Sequence, residues 1–133
     1  MEFSPSECIS ARIGILQRKI NTIYRTYLSP LNISESQSSI LLVINKSTEI
    51  GQSEIASILN LERSSLSRNM VRLEKNGWIE KNASYHPIWS LSNNGRKFMK
   101  TLLPAWENAM KEVDGIIGNK GWESFGTFEK TMS

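Results

Sequence analysis

The side chains with most to offer chemically crowd into one stretch, RSSLSRNMVRLEK, residues 63–75. It supplies guanidiniums from Arg63, Arg68 and Arg72, an ammonium from Lys75, and hydroxyls from Ser64, Ser65 and Ser67. A guanidinium is a rigid fork of donors and a hydroxyl both donates and accepts, so the set suits recognition by hydrogen bonding. Helical spacing sorts the stretch into two faces. Leu66, Met70 and Leu73 fall at four- and three-residue steps and form an apolar stripe. Ser64, Ser67, Arg68, Val71 and Lys75 fall opposite, with Ser65 and Arg72 at the edges. A helix that is apolar inside and carries small hydroxyls and guanidiniums outside suits the major groove of DNA.

The rest of the inventory argues against catalysis. The chain has one histidine, His86, one cysteine, Cys8, and one aspartate, Asp114. One Cys and one His cannot close a zinc site. A Ser-His-Asp triad would need His86, in a hairpin, to meet Asp114, near a helix end. No Gly-rich phosphate loop is present. The expectation is a non-enzyme with no catalytic residues, no metal and no cofactor. Cys8 excludes an intramolecular disulfide, and two readings of it stay open. It is a buried or incidental thiol, or it is a redox sensor whose thiolate draws on Arg12 one turn on, against the opposing charge of Glu7. His86 reads as a surface residue of the hairpin.

Whole-chain properties fit a partner that is itself polar. The 133 residues suit one domain, 39% of them hydrophobic, enough for a modest core. The net charge of +3 and an isoelectric point near 9.1 are compatible with nucleic acid without demanding it. The longest aliphatic run, Ile40 to Ile44, is far too short to span a bilayer, and no apolar leader precedes the first helix. A soluble, cytoplasmic protein with no membrane partner is expected.

The elements that must position the Ser/Arg stretch follow from caps and periodicity. A first helix runs from about Ser6 to Tyr27, with Ile9, Ile13, Leu16, Ile20, Ile23 and Tyr27 in one stripe and Arg12, Arg18, Lys19 and Arg25 on a solvated face. Ser34 with Gln37 three residues on is a capping-box pattern that starts the second helix. After a connector with a short strand near Glu49–Ile50, a third helix covers about Gln52 to Leu59, with Ile55, Ile58 and Leu59 inward. Asn60, tolerant of the left-handed conformation, makes a tight turn into the fourth helix, about Glu62 to Asn76, which stops at Gly77. Trp78–Ile79 and Pro87–Leu91 pair as a hairpin around a polar tip. A long helix from Asn93 to about Ile117 follows, kinked at Pro104. It carries Phe98, Leu102, Trp106, Met110, Val113 and Ile117 on one face. A last helix, about Gly121 to Thr131, carries Trp122, Phe125 and Phe128. The fold class is mainly α with a small β-wing. Long apolar helices at both ends, about 6–27 and 93–133, flank a winged helix-turn-helix at about 34–92, all in one domain.

This order of elements resembles the MarR family of bacterial transcription regulators over nearly the whole chain. The strongest pieces are IASILNLERSSLSRNMVRLEKNGWIEK, residues 55–81, and LSNNGRKFMKTLLPAWENAM, residues 91–110. The resemblance implies a homodimer interlocked by its terminal helices, with two recognition helices in successive major grooves of a pseudo-palindromic operator on double-stranded DNA. Carried over, Arg63, Ser64, Ser65, Ser67 and Arg68 become recognition residues. Hydroxyls near the helix start can hold phosphates, and Arg68 can reach a guanine edge with two hydrogen bonds. Arg72 then contacts phosphate or pairs with a neighbouring Glu, and Lys75 and Lys81 complete the DNA set. The resemblance also implies a small apolar or aromatic effector. Tyr24, Tyr27 and Trp106 are the candidate lining, with dimer-core packing as the other reading of the aromatics.

Two departures from the family pattern are visible. Glu62 stands where the family often has Asp, and Glu is a poorer N-cap. The wing, KNASYHPIWSL, is short and lacks the family's Asp and Arg, so any minor-groove contact would come from Lys81, Asn82, Tyr85 or His86. Two functions result: a homodimeric DNA-binding repressor released by a small molecule or by oxidation, or a winged-helix protein–protein module that binds DNA weakly or not at all.

Overall fold

The computed structural model describes Glu2 and residues 4–133. Helix α1 spans Ile9–Leu28 and ends in a 3-10 turn over Ser29–Leu31, where Pro30 blocks further α-helix and Asn32 takes a left-handed conformation. Helix α2, Glu35–Ser47, begins with the expected capping box. Ser34 Oγ accepts from the Gln37 N–H at 3.1 Å, and Gln37 Oε1 accepts from the Ser34 N–H at 3.3 Å. Strand β1 is the pair Ile50–Gly51. Helix α3, Gln52–Leu59, and helix α4, Arg63–Lys75, are joined at Asn60, whose φ of 50° and ψ of 50° are left-handed as expected. Strands β2, Ile79–Lys81, and β3, Ile88–Leu91, form the wing. The expected two-stranded hairpin is a three-stranded antiparallel sheet of order β1-β3-β2, with Ile50 opposite Trp89 and Ile79 opposite Leu91.

Helix α5 spans Asn93–Met132. Ser92 caps it, accepting from the Gly95 N–H at 2.9 Å and donating to the Gly77 carbonyl. Pro104, where a kink was expected, keeps helical dihedrals and lies on the exposed side of the helix. The break falls instead at Gly118, with φ of 63° and ψ of −176°, a region open in practice only to glycine. It separates the two helices that the sequence suggests.

The core lies under the winged helix-turn-helix. Ile40, Leu41, Ile44, Ile55, Leu66, Met70, Leu73 and Leu102 are almost fully buried there, closed on one side by Trp89 and Leu91 of the sheet. Ile58, expected to face inward, is 61% exposed; Ile55, Ala56 and Leu59 turn α3 toward the core. A helix of only two turns has room for a narrow stripe, and Ile58 falls outside it. The start of α5 is locked to the wing. A Cβ on Gly95 would stand 1.9 Å from the Trp78 carbonyl oxygen, and the Trp78 and Phe98 rings stack at 3.9 Å. Helix α1 packs chiefly on α5. Its own stripe stays largely bare: Ile9, Ile13, Leu16 and Ile20 are exposed, as are Ile116, Trp122, Phe125 and Phe128 of α5.

Candidate nucleic-acid interface

Helix α4 is held from below by Leu66, Met70 and Leu73, each no more than 2% exposed. That ridge fixes which residues face out. Arg63, Ser64, Ser67, Arg68, Val71, Arg72 and Lys75 are exposed and Ser65 is half-buried. The outer face is therefore polar and basic except for Val71, which leaves 53% of its surface bare. Glu62 occupies the N-cap without a side-chain hydrogen bond, so the first N–H groups of α4 are not consumed by a cap.

Both flanks of α4 are braced by amides. On one side Gln52 Nε2 donates to Ser67 Oγ at 3.0 Å, tying α3 to α4. On the other, the buried Gln37 donates to Asn69 Oδ1 at 3.5 Å, tying α2 to α4. Sequence reading missed both braces, because residues 15 and 32 positions apart carry no local pattern. It also missed Arg25, treated as part of a solvated face. The fold brings Arg25 to the rim of an open cleft shared with Arg72 and Lys75.

The wing is nearly bare of cations. Lys81 sits with its ammonium 5.4 Å from the centroid of the Trp89 ring, at the root of the wing. At the tip, Asn82 accepts from the Ile88 N–H through Oδ1 at 2.9 Å and closes the loop. Tyr85 is 93% exposed and meets the exposed His86 edge to face.

The remaining candidates lie away from this surface. Tyr24 donates to Met110 Sδ, and Tyr27 donates to a Glu112 carboxylate oxygen at 2.9 Å, so both phenols tie α1 to α5. Burial, with Glu35 and Asp114 nearby, raises the Tyr24 pKa. The bond to Glu112 chiefly raises that of Tyr27. Trp106 is half-buried on α5. Cys8 is the half-buried N-cap of α1 and makes no side-chain capping bond. Among the described residues, no group of three His, Cys, Asp or Glu could hold a metal ion, and no helix is long and apolar enough to cross a membrane.

Two helices joined by a tight turn, a basic second helix and a small antiparallel wing define a winged helix-turn-helix protein. The sequence profile of the MarR family matches residues 33–86, which run from the start of α2 through the wing tip. An uncharacterized HTH-type transcriptional regulator of Bacillus subtilis, YwoH, is 37% identical over 54 residues, 41% of this chain and 39% of that protein. The multiple antibiotic resistance protein MarR of Escherichia coli is 30% identical over 69 residues, 52% of this chain and 48% of that protein. The matched stretches thus span half or less of these relatives. The fold agreement reaches further. A mutant of E. coli MarR complexed with operator DNA superposes with a TM-score of 0.81 at 20% identity, over 93% of this chain and 92% of that one. BpsR of Bordetella bronchiseptica gives 0.87 at 11% identity, over 99% and 98%. The resemblance to the MarR family therefore holds: in sequence over residues 33–86, and in fold over nearly the whole chain.

Proposed function

We propose that this chain is a homodimeric, sequence-specific DNA-binding transcriptional regulator, a repressor acting in the cytoplasm and not an enzyme. One observation carries the reading. Helix α4 shows solvent a face of Ser64, Ser67, Arg68, Val71 and Lys75 while its other side is pinned in the core. A rigid helix with that face can enter a major groove, where Arg68 suits the two acceptors of a guanine edge and Val71 the methyl of a thymine. The operator complex of E. coli MarR supports the docking by analogy of fold.

The dimer rests on the bare apolar stripe of α1 and the end of α5. Ile9 is 60% exposed, Leu16 57%, Ile116 67% and Phe125 50%, and such a contiguous surface calls for a partner. A second copy supplies the same stripe by two-fold symmetry. Two α4 helices held about one helical turn of DNA apart lose several contacts together when that spacing changes. Release follows from a small apolar or aromatic effector near Tyr24, Tyr27 and Trp106, or from oxidation of Cys8. DNA binding by BpsR of Bordetella bronchiseptica is regulated by 6-hydroxynicotinic acid, which favours the first route.

A second reading is a protein–protein module, favoured by the cation-poor wing tip with Tyr85 fully displayed. Fluorescence anisotropy on duplexes tiling the DNA upstream of the gene, at two salt concentrations, separates the two. Tight binding to one tile that falls steeply with salt is expected. Weak, equal binding to every tile would favour the module.

A further inference from the structure

An open cleft of about 690 Å³ lies between the end of α1, the start of α2 and the far flank of α4. Its lining includes Arg25, Arg72 and Lys75, together with Ser34, Ser36 and Gln37, and contains no carboxylate. The two acids next to lining residues in sequence, Glu35 and Glu74, stay outside that lining; Glu35 accepts a hydrogen bond from the Ser39 hydroxyl at 2.8 Å and shares a smaller adjoining pocket with Arg25. Three cations from two separate helices therefore share one concavity without an anion of the protein's own. Like charges so arranged raise the local potential and draw in an anion.

The position of the cleft says which anion. A helix lying in a major groove has a phosphate rail on each side. One flank of α4 meets α3 through Gln52 and Ser67; the opposite flank, bearing Asn69, Arg72 and Asn76, is the wall of the cleft. Lys75 belongs both to the outward face and to the cleft lining. We propose that this cleft seats a phosphate of the DNA backbone, gripped by Arg25 of α1 together with Arg72 and Lys75 of α4. The inference rests on the DNA-binding reading and adds to it a residue from a helix otherwise packed on α5. Because Arg25 and Arg72 sit on different elements, any shift of α1 against α4 opens the grip. Displacement of the terminal helices then weakens DNA binding within one protomer, before the spacing between protomers changes.

The test is the salt dependence of binding by the full chain, on its best tile and on an unrelated duplex. Arg25→Ala and the gentler Arg25→Gln are expected to weaken binding to both duplexes by the same factor. Each should also lower the slope of log affinity against log salt by about one unit. The loss of affinity between 50 and 200 mM salt then shrinks by about threefold relative to wild type. A duplex with one neutral methylphosphonate at the contacted position should weaken wild type more than the Arg25 variants, which keep Arg72 and Lys75 on that phosphate. Arg25 is exposed, so both variants should melt like wild type. Wild-type affinity and slope in both variants would overturn the cleft assignment and leave the regulator reading standing. A wild-type chain with no salt-sensitive binding to any duplex would overturn both.

Discussion

Arg68 and Asn60 do different work a few residues apart. Arg68 stands free on the outward face, so its removal should leave stability unchanged and act on recognition alone. Arg68→Ala is expected to cost about 1–3 kcal/mol of binding and to relax base preference at one position. Competition binding against a panel of single-base operator variants measures it, and an unchanged preference profile would remove Arg68 from base reading. Asn60 sets the angle at which α4 leaves α3. Its left-handed backbone disfavours a Cβ without a local hydrogen-bonding group. Asn60→Ala should therefore lose about 1 kcal/mol in urea denaturation, and Asn60→Gly should keep most of that stability. Equal losses in the two variants would show that the side chain, and not the backbone conformation, matters there.

Among the elements, the joint between wing and α5 is the least forgiving. A methyl on Gly95 meets backbone and not a movable side chain, so Gly95→Ala should cost about 1–3 kcal/mol, toward the upper end, in the same denaturation experiment. The link between α1 and α5 is milder and answers to pH. Tyr24 and Tyr27 both have pKa values raised above the ordinary phenol value of 10.0. Their contribution is fully present below about pH 10 and is lost as pH rises past it, when the folded state must release protons it holds more tightly than the unfolded chain. Melting temperature should show no phenol-linked change from about pH 6 to 9 and fall above 10, with a smaller alkaline fall in Tyr27→Phe. The same elements show what the sequence discloses. Caps and stripes are local, so the capping box at Ser34, the turn at Asn60 and the core ridge of α4 were legible. The outward residues of α4 follow from that ridge by geometry. Ile58 misled because a short helix gives too few apolar positions to fix its face. The cleft wall at Arg25 and the close approach at Gly95 were hidden because each depends on a distant element arriving at a particular angle.

At the scale of the molecule, the buried core serves the winged helix-turn-helix, while the terminal helices keep much of their apolar surface in water. Substitutions on that surface should separate assembly from folding. Leu16→Glu combined with Phe125→Glu is expected to sediment as a monomer while keeping the helical content of the wild type. It should also lose most of its operator affinity, since each half-site then binds alone. A dimer that survives both charges would place the interface elsewhere.

The elbow at Gly118 has a consequence for how such an assembly ends. An uninterrupted helix of the 40 residues of α5 would be a rod about 60 Å long. The glycine dihedrals instead turn the last segment, and Trp122 Nε1 donates to Asp114 across the break at 2.8 Å. In the proposed dimer, the bend would decide whether the apolar tip meets the same neighbour as α1 or reaches past it to another. Two molecules that clasp at both ends form a closed pair; molecules that each extend a straight arm to the next form an open chain. Gly118→Ala is therefore expected to turn a species of fixed mass into one whose average mass climbs with concentration in sedimentation equilibrium. A mass that stays constant would show that closure does not depend on the elbow.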